Sequence, residues 1–341
     1  MCELSVVITT HNRARWLRDT LASLACVRSP LSWEALVVDN NCTDGTRQVV
    51  LDAQAAFPAP LRYVFERTPG KYSALNSGIE RAAGRIVVNT DDDVTLPADW
   101  LEQAVAALER YQCDFVGGPV YPAWEAPPPA WIDARDAMCG KVLALQDHGP
   151  EPREYGRGGI SWPLGVNVAY RRDAFDRAGL FDGRLGRVAG TLRNQSQREW
   201  HLRARRAGLR GMYIPGMFVH HFVAADRLTR RYFYDWFYWH GISRAIMHDT
   251  IGTDLLEPEA NATASQGRQL LGAPLSLWYR TARAGISAAS RWVQGRPDAA
   301  LPYELQIPFL IGVVRQRLRH RHAPPPRVPS PRIGGSVRSA R

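Results

Sequence analysis

The chain has 341 residues with a hydrophobic fraction of 45%, which predicts one large globular domain or one domain with a substantial appendage. Most of its formal charge of +10 comes from the stretch 315–341, which holds eight arginines and no acid, so the folded body is not marked as a nucleic-acid-binding surface. The five cysteines lack zinc-type spacing and no apolar run approaches ~20 residues, which excludes a zinc-finger class and a membrane-spanning protein.

The two ends of the sequence predict where the protein works. The first residues enter a strand pattern at once, without the basic and apolar segments of a signal peptide, and the scattered cysteines favour a reducing compartment. We therefore expect a cytoplasmic protein, or one held peripherally on the inner face of the cell membrane. The Pro- and Arg-rich tail suits an anionic membrane surface, nucleic acid or plain solvation, and we expect no nucleic-acid partner for the protein as a whole.

Strand and helix patterns alternate along the first 118 residues. Runs of β-branched residues predict buried strands at residues 4–10, 34–39, 61–65, 86–90 and 114–118. Apolar residues at helical spacing predict helices around residues 17–24 and at 46–57, 72–83 and 97–110. This alternation predicts an α/β fold with a mainly parallel, Rossmann-like sheet that carries helices on both faces.

The pattern changes after Gly118. Residues 121–131 are rich in Pro and Trp, which excludes a regular helix, and we interpret the chain up to residue 165 as an irregular excursion over the active face. Regular segments are predicted again at 172–178, 198–207, 212–215 and 230–249. The last of these is a helix that is aromatic nearly all round, so we expect it to pack under the C-terminal segment. Residues 305–314 are too few to span a bilayer, but they suit docking on one.

These shifts divide the chain into four parts. The predicted parts are an α/β half at 1–118, a second half of the same domain at 119–225, a helical and aromatic-rich C-terminal extension at 226–318, and a disordered Arg/Pro-rich tail at 319–341.

Three adjacent carboxylates follow the strand that begins at Ile86. Asp91, Asp92 and Asp93 stand at its carboxyl end, where open α/β sheets bind ligands. Like charges packed this closely repel one another, so we expect a divalent cation to neutralise them and to hold a phosphate group. A solvated acidic turn is the alternative from this motif alone.

The order of four short segments resembles the family 2 glycosyltransferases, which have the GT-A nucleotide-sugar fold. The segments are residues 5–13 (SVVITTHNR), 37–46 (VVDNNCTDGT), 70–78 (GKYSALNSG) and 90–93 (TDDD). Residues 165–172 (GVNVAYRR), 179–182 (GLFD) and 213–215 (YIP) resemble the acceptor-side half of the same family. The resemblance covers about the first 240 residues and implies an α/β fold of the GT-A type.

The resemblance also implies roles for single residues. It implies a donor-nucleotide site formed by Thr9, Thr10, Asn12, Asp39, Lys71, Asn76 and Asp92. It implies that Mg²⁺ or Mn²⁺ is held by Asp91, Asp93 and His221. From local chemistry alone, Asp39 also suits an Asx turn, Lys71 suits a solvated surface position, and His220 is the competing register for His221.

One position departs from the family pattern. Family members usually carry a Glu-Asp pair before the helix that ends at Ala207-Gly208, and the Asp of that pair acts as the general base. This chain has Ser196-Gln197 there, and an amide cannot accept the proton. We expect Glu199 to act as the base instead, with Asp182 as the second candidate.

The sequence therefore predicts an inverting, metal-dependent glycosyltransferase. Its expected partners are a nucleotide-sugar donor, for which the resemblance implies a UDP link, and a glycan or lipid-linked acceptor hydroxyl. Peripheral membrane contact is expected through the C-terminal region. Two alternatives stay open: a nucleotidyltransferase, and a sugar-nucleotide-binding protein that has lost catalysis, which Gln197 favours. A dinucleotide-dependent dehydrogenase is disfavoured because no G-x-G-x-x-G follows the first strand.

Overall fold

A computed structural model describes residues 2–157, 160–256 and 267–320 of the chain. The strands are β1 (Leu4–Thr10), β2 (Trp33–Asp39), β3 (Leu61–Phe65), β4 (Ile86–Asp91), β5 (Val94–Thr95), β6 (Phe115–Gly117), β7 (Val120–Trp124), β8 (Arg153–Glu154), β9 (Asn167–Arg171), β10 (Gly211–Tyr213), β11 (Val219–Val223), β12 (Gln269–Leu270) and β13 (Ala273–Pro274). The helices are α1 (Ala14–Leu24), α2 (Thr46–Gln54), α3 (Lys71–Arg81), α4 (Trp100–Arg110), α5 (Ala137–Leu143), α6 (Asp173–Ala178), α7 (Ser196–Arg206), α8 (Arg230–Ile251), α9 (Leu275–Val293), α10 (Pro297–Glu304) and α11 (Gln306–His320).

A sheet of eight strands forms the centre of the molecule, in the order β3-β2-β1-β4-β9-β6-β10-β8. The strands β3, β2, β1 and β4 run parallel, and so do β6 and β10. Strand β9 is antiparallel to both β4 and β6, and it joins the two parallel groups. The mainly parallel α/β sheet that the sequence predicts is confirmed, with antiparallel pairs around β9 and at the β8 edge.

Helices cover both faces of this sheet because its central strands are apolar on both sides. Every residue of β1 is buried, and alternate residues of the strand belong to different core clusters. Ile8 packs with Leu17 and Leu21 of α1 on one face, whereas Val7 packs with Leu75 of α3 on the other. This double burial explains the continuous β-branched runs in the sequence, since a parallel strand covered on both faces has no polar side.

A small second sheet follows directly after the acidic triplet. Its order is β5-β11-β7, and β11 pairs antiparallel with β5. The backbone amide of Phe222 donates to the carbonyl of Asp93 at 2.9 Å. This pairing ties the chain around residue 221 to the end of β4, although the two segments are more than 120 residues apart.

The C-terminal extension is a helical layer centred on α8. The aromatic residues Phe233 and Trp236 are buried against Leu143 of α5 and Leu305, so α8 packs as the sequence predicts. Within the described residues, no helix is both long enough and apolar enough to cross a membrane. Most of the tail predicted as disordered at 319–341 lies outside the described residues, which end at 320.

The structure differs from the predicted elements in two regions. The segment predicted to be irregular contains the strand β7 and the helix α5. The helices α9 and α10 have no predicted counterpart beyond the general expectation of a helical extension. In α9, apolar residues occupy both buried positions such as Leu277 and Ala284 and exposed positions such as Tyr279 and Ile286.

Helices α8 and α11 approach each other closely because each carries a glycine at the contact. A Cβ added at Gly312 would lie 2.1 Å from the carbonyl oxygen of Tyr238, and one added at Gly241 would lie 2.1 Å from the carbonyl oxygen of Phe309. Backbone atoms cannot rotate away as a side chain can. Gly312→Ala should therefore lower the free energy of unfolding by about 2 kcal/mol or more, measured by denaturant unfolding.

Gly285→Ala on α9 is the matched control for this substitution. An added Cβ meets no atom within 4 Å there, so the variant should gain about 1 kcal/mol from helix propensity. Equal stability of the two variants would contradict the close packing of α8 on α11.

Candidate active site

A cavity of about 920 Å³ opens at the carboxyl ends of β1, β2 and β4. Thr9 and Thr10 line it from the end of β1, Asn40 from the residue after β2, and the acidic triplet from the end of β4. Parallel strands end at the same edge of a sheet, so these side chains converge although they lie far apart in the chain. The cavity extends beyond the sheet to the C-terminal helices, where Trp236 and His240 of α8 also line it.

Asp91 forms an ion pair with Lys71 in this cavity. The Nζ atom of Lys71 lies 2.6 Å from Oδ1 and 2.7 Å from Oδ2 of Asp91. Lys71 is the first residue of α3, and the carbonyl of Arg187 accepts its backbone N–H at 2.9 Å. The local alternative of a solvated surface lysine is therefore wrong, because this side chain is partly buried against a carboxylate.

Asp92 and Asp93 are both buried and share Arg13 as a partner. The guanidinium of Arg13 donates to Asp92 Oδ1 at 3.2 Å and also to Asp93 Oδ2. Burial and the neighbouring charge of Asp93 raise the pKa of Asp92 to about 6. Burial acts to raise the pKa of Asp93 as well, but His221, Arg13 and Arg227 outweigh it and hold this pKa well below its ordinary value. The protein thus supplies positive charge of its own beside the triplet, through Arg13, Arg227 and Lys71.

The oxygen donors of the triplet suit a divalent metal ion that is shared with a ligand. Asp93 Oδ1 is buried and makes no hydrogen bond, so one hard oxygen donor is left over after the Arg13 pair has formed. No group of three or more His, Cys, Asp or Glu side chains forms a metal cage among the described residues. This arrangement fits an ion such as Mg²⁺ that takes one or two carboxylates and completes its coordination with substrate phosphates. It does not fit a metal held by the protein alone.

Of the two adjacent histidines in β11, His221 is the one that faces the cavity. It is buried, and its Nε2 lies 3.5 Å from Asp93 Oδ1. His220 is exposed and packs its ring near Tyr121 and Phe218. Alternate residues of a strand point to opposite faces, so only one register reaches the acids.

Three residues assigned to the nucleotide by resemblance have other partners. Asp39 accepts from the backbone amide of Cys42 at 2.7 Å and from the hydroxyl of Tyr63 at 2.8 Å, so its carboxylate closes an Asx turn at the end of β2. Asn76 exchanges two hydrogen bonds with the backbone of Phe181, at 2.9 and 3.1 Å. Asn12 accepts from the amide of Thr43 at 2.6 Å.

None of these three side chains is among the described residues that line the cavity. In the structure, Asp39, Asn76 and Asn12 hold the loops around the cavity in place, and their contact with the nucleotide stays a prediction. The predicted residues that do line it are Thr9, Thr10, Lys71, Asp91, Asp92, Asp93 and His221.

A cationic part of the cavity wall has no counterpart in the predicted site. Arg187 and Arg193 line it from the loop before α7, and Arg280 lines it from α9. Arg193 donates to the carbonyl of Arg184 at 3.0 Å, while its Nε is buried without a partner. Burial lowers the pKa of Arg193, as expected for a cation without a nearby carboxylate. Scattered arginines in a loop give no motif, so sequence patterns do not reveal this wall.

A comparison with protein-family models matches residues 5–179 to Glycosyl transferase family 2, which is just over half of the chain. The chain belongs to glycosyl transferase family 2. Among curated relatives, Glycosyltransferase AglE of Haloferax volcanii is 32% identical over 118 residues, which cover 34% of this chain and 39% of AglE. The glucosyl-dolichyl phosphate glucuronosyltransferase of the same organism is 26% identical over 275 residues, 76% of this chain and 80% of that protein.

Solved structures agree with the family assignment at the level of the fold. The mannosyltransferase PcManGT from Pyrobaculum calidifontis, in complex with GDP-Man and Mn²⁺, has a TM-score of 0.52 at 20% identity and covers 92% of this chain and 86% of its own. GalNAc-T7, solved with UDP, GalNAc and Mn²⁺, has a TM-score of 0.50 at 15% identity, over 77% of this chain and 53% of its own. The predicted GT-A fold is confirmed, and the nucleotidyltransferase alternative is set aside.

The two predicted general bases of this family 2 chain do not reach the cavity. Glu199 is buried in α7 and pairs with Arg203, with the carboxylate oxygens 2.6 and 2.9 Å from the guanidinium. Asp182 caps the turn Gly183–Leu185 and pairs with Arg184 at 2.6 Å. Neither side chain is among the described residues that line the cavity, whereas Gln197 is. The helix period explains this, because residues 197 and 199 point in directions about 200° apart.

Gln197 is held by tyrosines at the cavity wall. Its Nε2 donates to the hydroxyl of Tyr170 at 2.6 Å, and the hydroxyl of Tyr72 donates to its Oε1 at 3.5 Å. Burial raises the pKa of both phenols, so both tyrosines stay neutral near neutral pH. Among the described residues, the three aspartates are the only carboxylates that line the cavity.

Glu199→Gln tests whether this residue is structural. Since it breaks a buried ion pair outside the cavity, the variant should lose about 1–3 kcal/mol of unfolding free energy. Its kcat should stay within about twofold of wild type, whereas a general base would cost about 10²–10⁴-fold.

Glu102→Gln is the control for Glu199→Gln. It breaks an exposed pair with Arg28 and should cost less than about 1 kcal/mol. A large loss of kcat in Glu199→Gln, with its stability unchanged, would restore the predicted role as the base.

Proposed function

We propose that this protein transfers a sugar from a nucleotide-sugar donor to a glycan or lipid-linked acceptor in the synthesis of a cell-envelope glycan or glycolipid. The observation that carries the proposal is the acidic triplet at the end of β4, which lines the cavity of a family 2 chain. The resemblance implies a UDP-linked donor. PcManGT was solved with GDP-Man and GalNAc-T7 with UDP, so a donor screen should include both nucleotides.

In the proposed complex, Asp91 and Asp93 hold a divalent ion together with the donor pyrophosphate. The ion, Mg²⁺ or Mn²⁺, supplies positive charge that stabilises the departing diphosphate. The buried Oδ1 of Asp93, which accepts no hydrogen bond and lies 3.5 Å from His221 Nε2, supports its part in this role. Arg13 fixes Asp92 and Asp93 in position, and Lys71 neutralises Asp91, so the carboxylates keep one arrangement before the donor arrives.

We propose a single displacement at the anomeric carbon, with inversion of its configuration. The nucleophile is an acceptor hydroxyl or an acceptor phosphate, and the two classes place different demands on the protein. A hydroxyl must lose its proton to a base, whereas a phosphate oxygen is already ionised near neutral pH. Gln197 and the arginine wall of Arg187, Arg193 and Arg280 favour a phosphate-bearing acceptor.

A lipid-linked acceptor is supported by two observations. Relatives carry names such as dodecaprenyl-phosphate galacturonate synthase, from Rhizobium johnstonii, which is 29% identical over 119 residues. The cavity also extends from the acids to apolar residues, including Trp236, Leu255 and Phe309. We propose that the protein works at the cytoplasmic face of a membrane without spanning it.

Asp93→Asn should abolish transfer. The substitution removes the charge that would hold the ion and the diphosphate, and the loss should reach at least about 10²–10³-fold in kcat. The assay measures release of nucleoside diphosphate from UDP- and GDP-sugars with Mn²⁺ present. Chelation of divalent ions by EDTA should have the same effect on the wild-type protein.

Asp19→Asn is the matched control, because it removes an exposed carboxylate of α1 by the same chemical change. Circular dichroism should show both variants folded. Full activity of Asp93→Asn in EDTA would refute the metal-assisted mechanism.

A catalytically inert, sugar-nucleotide-binding protein is the second candidate, and Gln197 is the observation that favours it. Gln197→Glu separates the possibilities, since it places a proton acceptor in the cavity at nearly constant shape. With a hydroxyl acceptor, the transfer rate should rise about tenfold or more. With a lipid-phosphate acceptor, it should stay within about twofold. Metal-dependent donor binding without sugar release, in both proteins and across an acceptor panel, would establish the inert function.

A further inference from the structure

The outer face of α9 is apolar and exposed along its whole length. Its residues recur at the spacing of one helix face, and they are Leu275, Tyr279, Ala282, Ile286, Ala289 and Val293. The exposed fraction is 64% for Tyr279, 72% for Ile286 and 89% for Val293. The opposite face carries the residues that α9 buries, including Leu277, Thr281 and Ala284. The helix thus has buried apolar residues that pack in the protein core and a second set of apolar residues that is exposed.

Helix α11 repeats this pattern beside α9. Ile307, Ile311 and Leu318 are exposed and lie on one face together with the half-buried Val314. With Trp278 of α9, these residues line an apolar groove of about 600 Å³. We call the two outer stripes and this groove the docking face.

Arginines surround the docking face. Arg280 and Arg283 of α9 are exposed, Arg315 and Arg319 of α11 line the rim of the groove, and the guanidinium of Arg283 lies 5.8 Å from the ring centre of Tyr279. Residues 267–341 contain thirteen arginines and two acids, so the rest of the chain is close to neutral. Both acids, Asp298 and Glu304, form ion pairs with Arg230 of α8. Neither acid therefore neutralises Arg280, Arg283, Arg315 or Arg319, whose positive charge can attract an anionic partner.

We propose that the docking face binds the surface of an anionic lipid bilayer. A helix with an apolar stripe and flanking arginines lies in the membrane interface with its apolar face buried ~5–10 Å deep. Negative headgroups supply the opposite charge that pairs with the arginines, and acyl chains supply the apolar contact. A second copy of the chain fits less well, because it would bring two arginine-rich faces together.

The docking face lies on the same helices that line the active-site cavity. Helices α9 and α11 line this cavity through Arg280, Gln306 and Phe309. One layer of helices thus separates the bilayer from the cavity. Under the proposed function, a lipid-linked acceptor would need to pass only this layer to reach the acids, but membrane binding itself does not depend on that function.

Co-sedimentation of the full chain with vesicles tests the proposal. The protein should bind vesicles with roughly one third phosphatidylglycerol in phosphatidylcholine, and it should bind pure phosphatidylcholine much less. Ile286→Glu should lower the partition coefficient at least about tenfold, because it places a carboxylate in the apolar stripe. Replacing Arg283, which does not line the cavity, with Gln should lower it about fivefold and reduce its salt dependence.

Leu51→Glu is the matched control, since Leu51 is an exposed leucine of α2, 41% exposed, outside the docking face. It should bind vesicles like wild type, and circular dichroism should show each variant folded. Asp93→Asn should also bind like wild type, so that failure of catalysis and failure of docking are distinguished.

Three outcomes would overturn the proposal. One is the absence of vesicle binding by the full chain. Another is equal binding by wild type and Ile286→Glu, which would assign the interaction to the arginines of the tail alone. The third is a dimer in light scattering without lipid that Ile286→Glu dissociates, since this would make the docking face an interface between copies of the chain.

Discussion

The ion pairs of Arg13 with Asp92 and Asp93 are the constraint on which the active site depends. Two adjacent carboxylates buried at a strand end are unstable unless cations compensate their charge. Arg13 reaches both of them from the loop after β1, Arg227 lies 3.8 Å from Asp93, and Lys71 pairs with the neighbouring Asp91. This neutralisation lets the chain fold before it meets a metal ion or a donor. It also leaves one oxygen of Asp93 without a hydrogen bond, and that is the atom from which the proposed metal site is argued.

The same constraint links the two halves of the molecule. Arg13 comes from the first strand-helix connection, while His221 and Arg227 come from the second sheet and the turn that follows it. Pairing of β11 with β5 sets the distance between His221 and the acids. Helix α8 begins directly after this turn, and its aromatic residues line the side of the cavity away from the sheet. The C-terminal extension therefore forms one wall of the cavity, and its far side carries the docking face.

Some site residues were predicted in the right place and others were not, and the reason is geometrical. Residues at the ends of parallel strands share an edge of the sheet, so Thr9, Thr10 and the acidic triplet could be assigned from the strand pattern. Asn76 and Asp39 match the family motif equally well, yet their side chains bond to the backbone of Phe181 and Cys42. Glu199 was the nearest carboxylate in sequence to the usual base position, but a shift of two residues in a helix turns it away from the cavity.

The sequence by itself determined the family, the GT-A sheet and the position of the acids. These features follow from short-range patterns, namely buried strands and the residues that end them, and such patterns can be recognised directly in the sequence. Only the tertiary structure decided which cations neutralise the acids, which helices line the cavity and which face of α9 stays exposed. Each of these depends on contacts between segments separated by tens to hundreds of residues, and a helix that is apolar on two faces does not reveal from its order of residues which face the core will cover.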